Sequence, residues 1–262
     1  MNILEKIIRE KRQEIILHKE VVSLAWLEGL IQEKPACRSF RQSLLDSPTG
    51  IIAEFKRRSP SKDWIFKEAK VEEVVPEYAA SGAAAISVLT DEPFFGGTLK
   101  DLQTACGLVS RVPLLRKDFI VDEYQLYQAR ACGADVVLLI AAALTVGQTR
   151  ALAQTARSLG LEVLLEIHSE DELGHINELV DVVGINNRNL STFVTDIQTS
   201  YDLGERIPSG FVKISESGIS QPDTVIGLRR AGFRGFLMGE CFMSTENPGV
   251  ALKDFIGAIS VS

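Results

Sequence analysis

Apolar positions along the chain follow two rhythms. Up to about residue 46 they come at helical spacing: Ile3/Leu4, Ile7/Ile8 and Ile15/Ile16 stand among charged residues, and residues 21–30 resume the stripe. That spacing predicts amphipathic helices. Beyond it, short and almost wholly apolar runs recur at residues 51–56, 84–89, 112–117, 135–140, 161–166, 180–186, 211–216 and 235–239. Such runs mark parallel strands covered on both faces. Helices are expected at 71–81, after a Thr98 cap, at 122–131, at 145–160 ending in Gly160, from Ser169, from Ser220 and at 248–260. Eight strand and helix units follow one another without a linker. The expected class is α/β, a (β/α)8 TIM barrel making one domain of residues 1–262, with residues 1–46 as an N-terminal helical extension. The extension has to bury its stripe, and packing on its own chain is the expectation.

The apolar runs share an ending. In 51–56, Glu54 and Lys56 stand two apart and face the same side of a strand. A buried carboxylate and ammonium must satisfy each other, as a structural ion pair at a strand end also would. Repetition favours a shared site: the later runs end in Arg116-Lys117, Glu166, Asn186-Asn187-Arg188 and Ser215-Glu216-Ser217. In a parallel barrel all these ends open on one face, where such folds place their chemistry.

Loops add to this picture. Residues 57–67 lack a helical stripe, are basic and carry Ser59-Pro60-Ser61, which suits either a solvated loop or a lid for an anion. Residues 90–97 read as a second long loop, with Phe94-Phe95 before two glycines; one of these rings is expected at a pocket mouth. Ser217-Gly218 after the seventh run and Gly239-Glu240 after the eighth stand where barrels bind phosphate on backbone N–H groups.

Net charge is −7, which disfavours a general electrostatic grip on nucleic acid or an anionic membrane. No apolar run approaches the ~20 residues of a membrane span, and the charged start has no signal-peptide core. Cys37, Cys106, Cys132 and Cys241 show no metal-ligand spacing and read as reduced thiols of a cytoplasmic protein. His18, His168 and His175 read as solvated surface residues.

As a set, the motifs Ala53-Glu54-Phe55-Lys56-Arg57-Arg58-Ser59-Pro60-Ser61, Leu115-Arg116-Lys117-Asp118-Phe119-Ile120, Glu166-Ile167-His168, Gly184-Ile185-Asn186-Asn187-Arg188-Asn189-Leu190 and Ser215-Glu216-Ser217-Gly218-Ile219 resemble the indole-3-glycerol-phosphate synthase family of tryptophan biosynthesis. The resemblance implies a carboxy-lyase without metal or organic cofactor, acting on a small phosphosugar. Its substrate would be 1-(2-carboxyphenylamino)-1-deoxyribulose 5-phosphate, which closes to indole-3-glycerol phosphate with loss of carbon dioxide and water. By resemblance, Lys117 is the acid on the ribulose carbonyl, Glu166 the base or acid of later proton transfers, and Lys56, held by Glu54, a partner of the substrate carboxylate and hydroxyls. Asn186, Arg188 and Glu216 would orient these groups and the substrate. Ser217, Gly218, Gly239 with Glu240, and Ser59 would line the phosphate site, and Phe95 and Phe119 would pack on the anthranilate ring. A monomer or weak homo-oligomer is expected. Other readings are a different phosphosugar barrel, such as phosphoribosylanthranilate isomerase, which does not explain the two lysines, and a non-catalytic phosphosugar binder. Two positions depart from the family's usual residues, Asp63 in place of Gly and Asn189 in place of Asp.

Overall fold

The computed structural model describes residues 2–189 and 192–260; Met1 and Leu190, the last residue of one motif above, lie outside the described residues. Eight parallel strands, Ile51–Phe55, Ala85–Leu89, Leu114–Lys117, Val136–Ile140, Glu162–Ile167, Val182–Asn186, Val212–Glu216 and Gly235–Met238, form a closed barrel among the described residues. The last strand pairs with the first, Ile51 opposite Phe236, so no edge is left open. Nearly every strand residue is buried because helices cover the outside and side chains fill the inside.

Period-two alternation splits the strand residues between two cores. Ile51, Ala53, Ile86, Val88, Val137, Val163 and Val183 pack outward under the helices. Ile52, Leu115, Leu138, Leu164, Val182, Ile214 and Leu237 fill the barrel.

The N-terminal extension packs on its own chain. Helix α1, Ile3–Val21, starts in a capping box between Asn2 and Glu5. Helix α2, Leu24–Gln32, places Leu27 in a small cluster with Ile15, Tyr124 and Ala131. Helix α3, Phe40–Asp46, puts Phe40 and Leu44 into the interior cluster beside Ile52 and Ile214.

Several local expectations change. Residues 57–67 are not a plain loop: Arg58–Ser59 and Asp63–Trp64 form a two-stranded antiparallel hairpin, with Asp63 in the left-handed region at φ 57°. Aspartate tolerates that region better than most residues, which explains how it fills a position where the family resemblance leads one to expect glycine. Residues 90–97 contain a short helix, Glu92–Phe95, capped by Asp91. The turn after Ser169 is a 3-10 helix, Glu170–His175. A helix at Gln198–Gly204 had no sequence signal.

Candidate active site

Alternation also decides which charges enter the barrel. From inward-facing Ile52, a step of two reaches Glu54 and a further step reaches Lys56; Leu115 leads to Lys117, Leu164 to Glu166 and Ile214 to Glu216. Register sets the ends side by side, with Glu166 opposite Gly184 and Asn186 opposite Glu216. Glu54 Oε1 lies 2.7 Å from Lys56 Nζ. Lys117 Nζ sits between two carboxylates, 2.7 Å from Glu166 Oε2 and 3.1 Å from Glu216 Oε2.

Two glycines make room for these groups. A Cβ on Gly184 would stand 2.3 Å from Glu216 Oε1, and one on Gly239 would stand 2.8 Å from Glu54 Oε1. Both carboxylates therefore depend on a neighbouring strand end that carries no side chain.

One ammonium between two buried carboxylates splits their behaviour. Burial alone would raise Glu166, but Lys117 and His168 outweigh it and hold this carboxyl well below the usual carboxylate range. Glu216 is pushed up to about 8, first by burial and also by the charge of Glu166; its Oε1 is buried with no hydrogen-bond partner. Burial would lower Lys117, yet the two carboxylates more than offset this and raise it. The ammonium and the ionised Glu166 form the closer pair, and Glu216 is the carboxyl of the two that takes a proton more readily.

Apolar walls stand around this charged floor. The rings of Phe95 and Phe119 lie 5.9 Å apart at 38°, and Leu138 and Ile140 line the same pocket. Ile3, Leu4 and Ile7 of α1 line it too, as do Ser59, Pro60 and Ser61. An adjoining cavity is lined by Arg188, Ser217, Gly218, Gly239 and Glu240. Ser217 and Gly218 both have positive φ, 67° and 75°, a backbone turn of the kind that directs successive N–H groups to one side. Arg188 bridges the two spaces, its guanidinium 3.2 Å from Ser61 Oγ and 3.8 Å from Glu240 Oε2. The arrangement suits a flat aromatic group, proton transfer beside it, and an anion a few ångströms away. Among the described residues, no three His, Cys, Asp or Glu side chains converge as a metal-holding group.

The family model for indole-3-glycerol phosphate synthase matches residues 4–255. The chain belongs to the indole-3-glycerol phosphate synthase family. A synthase of that name from Bacteroides thetaiotaomicron is 58% identical over 258 residues, covering 98% of this chain and 99% of that protein. Another, from Magnetococcus marinus, is 43% identical and covers 98% of each chain. Among solved structures, the tryptophan synthase alpha subunit of Legionella pneumophila aligns with TM-score 0.64 at 12% identity, over 85% of this chain and 98% of that one. That likeness shows a shared barrel fold.

In this synthase-family chain, Glu54, Lys56, Lys117, Glu166, Asn186, Glu216 and Ser217 all line the central pocket, with Phe95, Phe119 and Arg188. Ser59 does as well; it stands apart from the cavity at Gly218 and Gly239 and is buried, its Oγ accepting from Lys62 N–H. Glu240 lies at the rim of that cavity, near Arg188 and 3.7 Å from Lys62, as an ion-pair partner of the cations. The histidine reading needs correction. His168 is 11% exposed and lies between Glu166 and Glu172, and His175 is buried against Thr149.

Sequence reasoning missed a buried charge network. Lys11 Nζ, 1% exposed, is 2.9 Å from Asp91 Oδ2, 3.1 Å from Asp118 Oδ1 and 2.9 Å from Glu14 Oε2. Arg116 in turn is 2.8 Å from Asp118 Oδ2. This network fixes α1 over the strand ends that carry Lys117 and Phe119. A signal existed: Lys11 continues the buried stripe of Ile7 and Ile15 at steps of four.

Proposed function

We propose that this pocket performs the indole-3-glycerol phosphate synthase reaction through Lys117, Glu166 and their neighbours. The observation that carries the assignment is the Lys117 ammonium held between Glu166 and Glu216 under the Phe95/Phe119 wall. The anthranilate ring lies along that wall, with its carboxylate toward Lys56. The phosphate occupies the adjoining cavity, on backbone N–H groups around Ser217, Gly218 and Gly239 and the charge of Arg188.

Lys117 gives a proton to the ketone oxygen as the ring carbon bearing the carboxylate bonds to the carbonyl carbon. In a dry pocket, an ammonium placed where negative charge develops is worth far more than in water. The bond to the carboxylate then breaks, carbon dioxide leaves and the electron pair restores the aromatic ring. The same oxygen departs as water, taking a second proton from Lys117 once that group is recharged. Glu166, kept ionised, removes a proton from the adjacent methylene carbon. Glu54 holds Lys56 for the substrate carboxylate, and Asn186 and Glu216 orient the hydroxyls and Lys117. We also place the protein in the cytoplasm as a monomer or weak homo-oligomer.

The test is indole fluorescence from the carboxyphenylamino-deoxyribulose phosphate, with wild type and Lys117→Met compared. General acid help is typically worth ~10² to 10⁴ in rate, so kcat should fall by that range while KM changes far less. A near-normal kcat in a Lys117→Met protein shown to be folded by circular dichroism would overturn the assignment.

A further inference from the structure

Resting on the reaction above, proton balance poses a question that the pocket itself does not answer. Lys117 gives up two protons per turnover, one to the ketone oxygen and one to the departing hydroxyl. Glu166 recovers one from the methylene carbon and can return it across the 2.7 Å contact. The other is the proton consumed when a carboxylate leaves as neutral carbon dioxide, and it must come from solvent. Yet α1 stands over the pocket with Ile3, Leu4 and Ile7, Glu166 is buried, and the 14% of the Lys117 side chain left open faces the pocket that the substrate fills.

His168 is placed to supply it. It follows Glu166 by two residues, so it points to the same side as the strand ends. Its Nε2 lies 3.2 Å from Glu166 Oε1, the carboxylate oxygen that does not face Lys117. This nitrogen is buried and makes no aligned hydrogen bond. On its other side Nδ1 is 3.3 Å from Glu172 Oε2, and Glu172, at 17% exposure, meets solvent. Both residues line a second cavity with Asn186 and Asn189, separate from the aromatic wall. We propose that His168 is the proton inlet of the site, carrying a proton from the Glu172 side through its ring to Glu166 and on to Lys117.

Each transfer balances. The imidazolium loses its Nε2 proton to Glu166 Oε1 and becomes the neutral Nδ1–H tautomer; the Glu166 carboxyl turns and hands that proton to the neutral Lys117 amine, and a ring flip brings the bare Nε2 to the Glu172 side, where it is reprotonated from solvent. Charged groups facing the ring are Glu166 and Glu172. Against the effect of burial, they hold His168 up to about 10, so it is charged at neutral pH. Lys117 is raised as well, from an ordinary value already above that of imidazole.

The experiment is rapid-quench single turnover with carbon dioxide and indole followed separately, on wild type, His168→Gln and Glu172→Gln. Glutamine keeps polar contact but cannot relay a proton. In His168→Gln, carbon dioxide release in the first turnover should stay near the wild-type rate, while indole formation slows by ~10²-fold, within the usual range for proton-transfer catalysis. Added imidazole should restore part of that loss. Glu172→Gln, which leaves Glu166 untouched, should show a smaller lag in the same step, and it carries the test should His168→Gln fail to fold. Equal slowing of both products without imidazole rescue would reduce His168 to a positioning role and overturn the inlet, as would unchanged indole formation. Absence of indole from the wild type would instead sink the reaction assignment.

Discussion

Lys117, Glu166 and Glu216 form a triad in which position alone separates chemically identical groups. Both glutamates touch the same ammonium, yet Glu166 also faces His168 while Glu216 keeps a buried oxygen without a partner. The raised Glu216 makes a stability prediction. Its contribution is full below the ordinary carboxylate value and is lost as pH rises toward its folded value of about 8. Across that window the folded state loses up to roughly 1.4 kcal/mol per pH unit from this one group. Glu216→Gln should therefore gain stability over wild type progressively between pH 5 and pH 8, at the cost of activity. Urea unfolding at several pH values measures it, and a constant difference between the two proteins would contradict the assignment. At this scale the sequence was legible where a charge ended an apolar run, since a strand's period of two then fixes its direction. It misplaced His168, read as a solvated surface residue, because the residue follows its strand into polar sequence and is enclosed only by Glu172 folding back on it.

The hairpin over the pocket shows what one element adds. Its base is pinned: Arg57 donates to both carboxylate oxygens of Asp101, at 2.7 and 2.9 Å, and to the Ala69 and Gly96 carbonyls. Its tip holds by lighter contacts, Ser61 to Arg188 and Lys62 to Glu240. A lid hinged within residues 58–64 follows from that gradient. Hydrogen exchange should slow across residues 59–64 when a substrate analogue binds and stay unchanged at Arg57; equal protection with and without the analogue would argue against a lid. Asp63 tunes it, holding a left-handed φ and pairing with Arg58 at 2.7 Å. Asp63→Ala, which loses the pair and keeps a Cβ in a region costing roughly 1–2 kcal/mol, should speed exchange more than Asp63→Gly. Strands of two residues leave no periodicity to read, so the hairpin was invisible beforehand, whereas its serines and arginines were not.

At the scale of the whole molecule, barrel and extension act as one enclosure. Helix α3 plugs the interior with Phe40 and Leu44, and α1 lines the pocket with its first turns, locked by Lys11 to Asp91 and Asp118. Eight apolar runs were enough to foresee the barrel, because each can be buried only as a strand with helices outside. The roof was not foreseen in detail, since an amphipathic stripe states that it is covered and not by what. Deleting residues 2–9 should remove Ile3, Leu4 and Ile7 from the pocket while leaving Lys11 in place. Losing even part of their apolar contact, worth ~1.5–3 kcal/mol per fully buried side chain, should raise KM about tenfold or more. A KM equal to wild type in the folded deletion would show that the roof is dispensable. Ring closure has a last consequence, in the order of synthesis. The barrel shuts where Ile51 meets Phe236, and the pocket needs Ile3 and Glu54 together with Leu237. On a ribosome adding roughly 5–20 residues per second, the earliest segment emerges long before its partners exist. Its apolar turns wait uncovered, and the nascent chain gains a working site only when nearly all of it has left the exit tunnel.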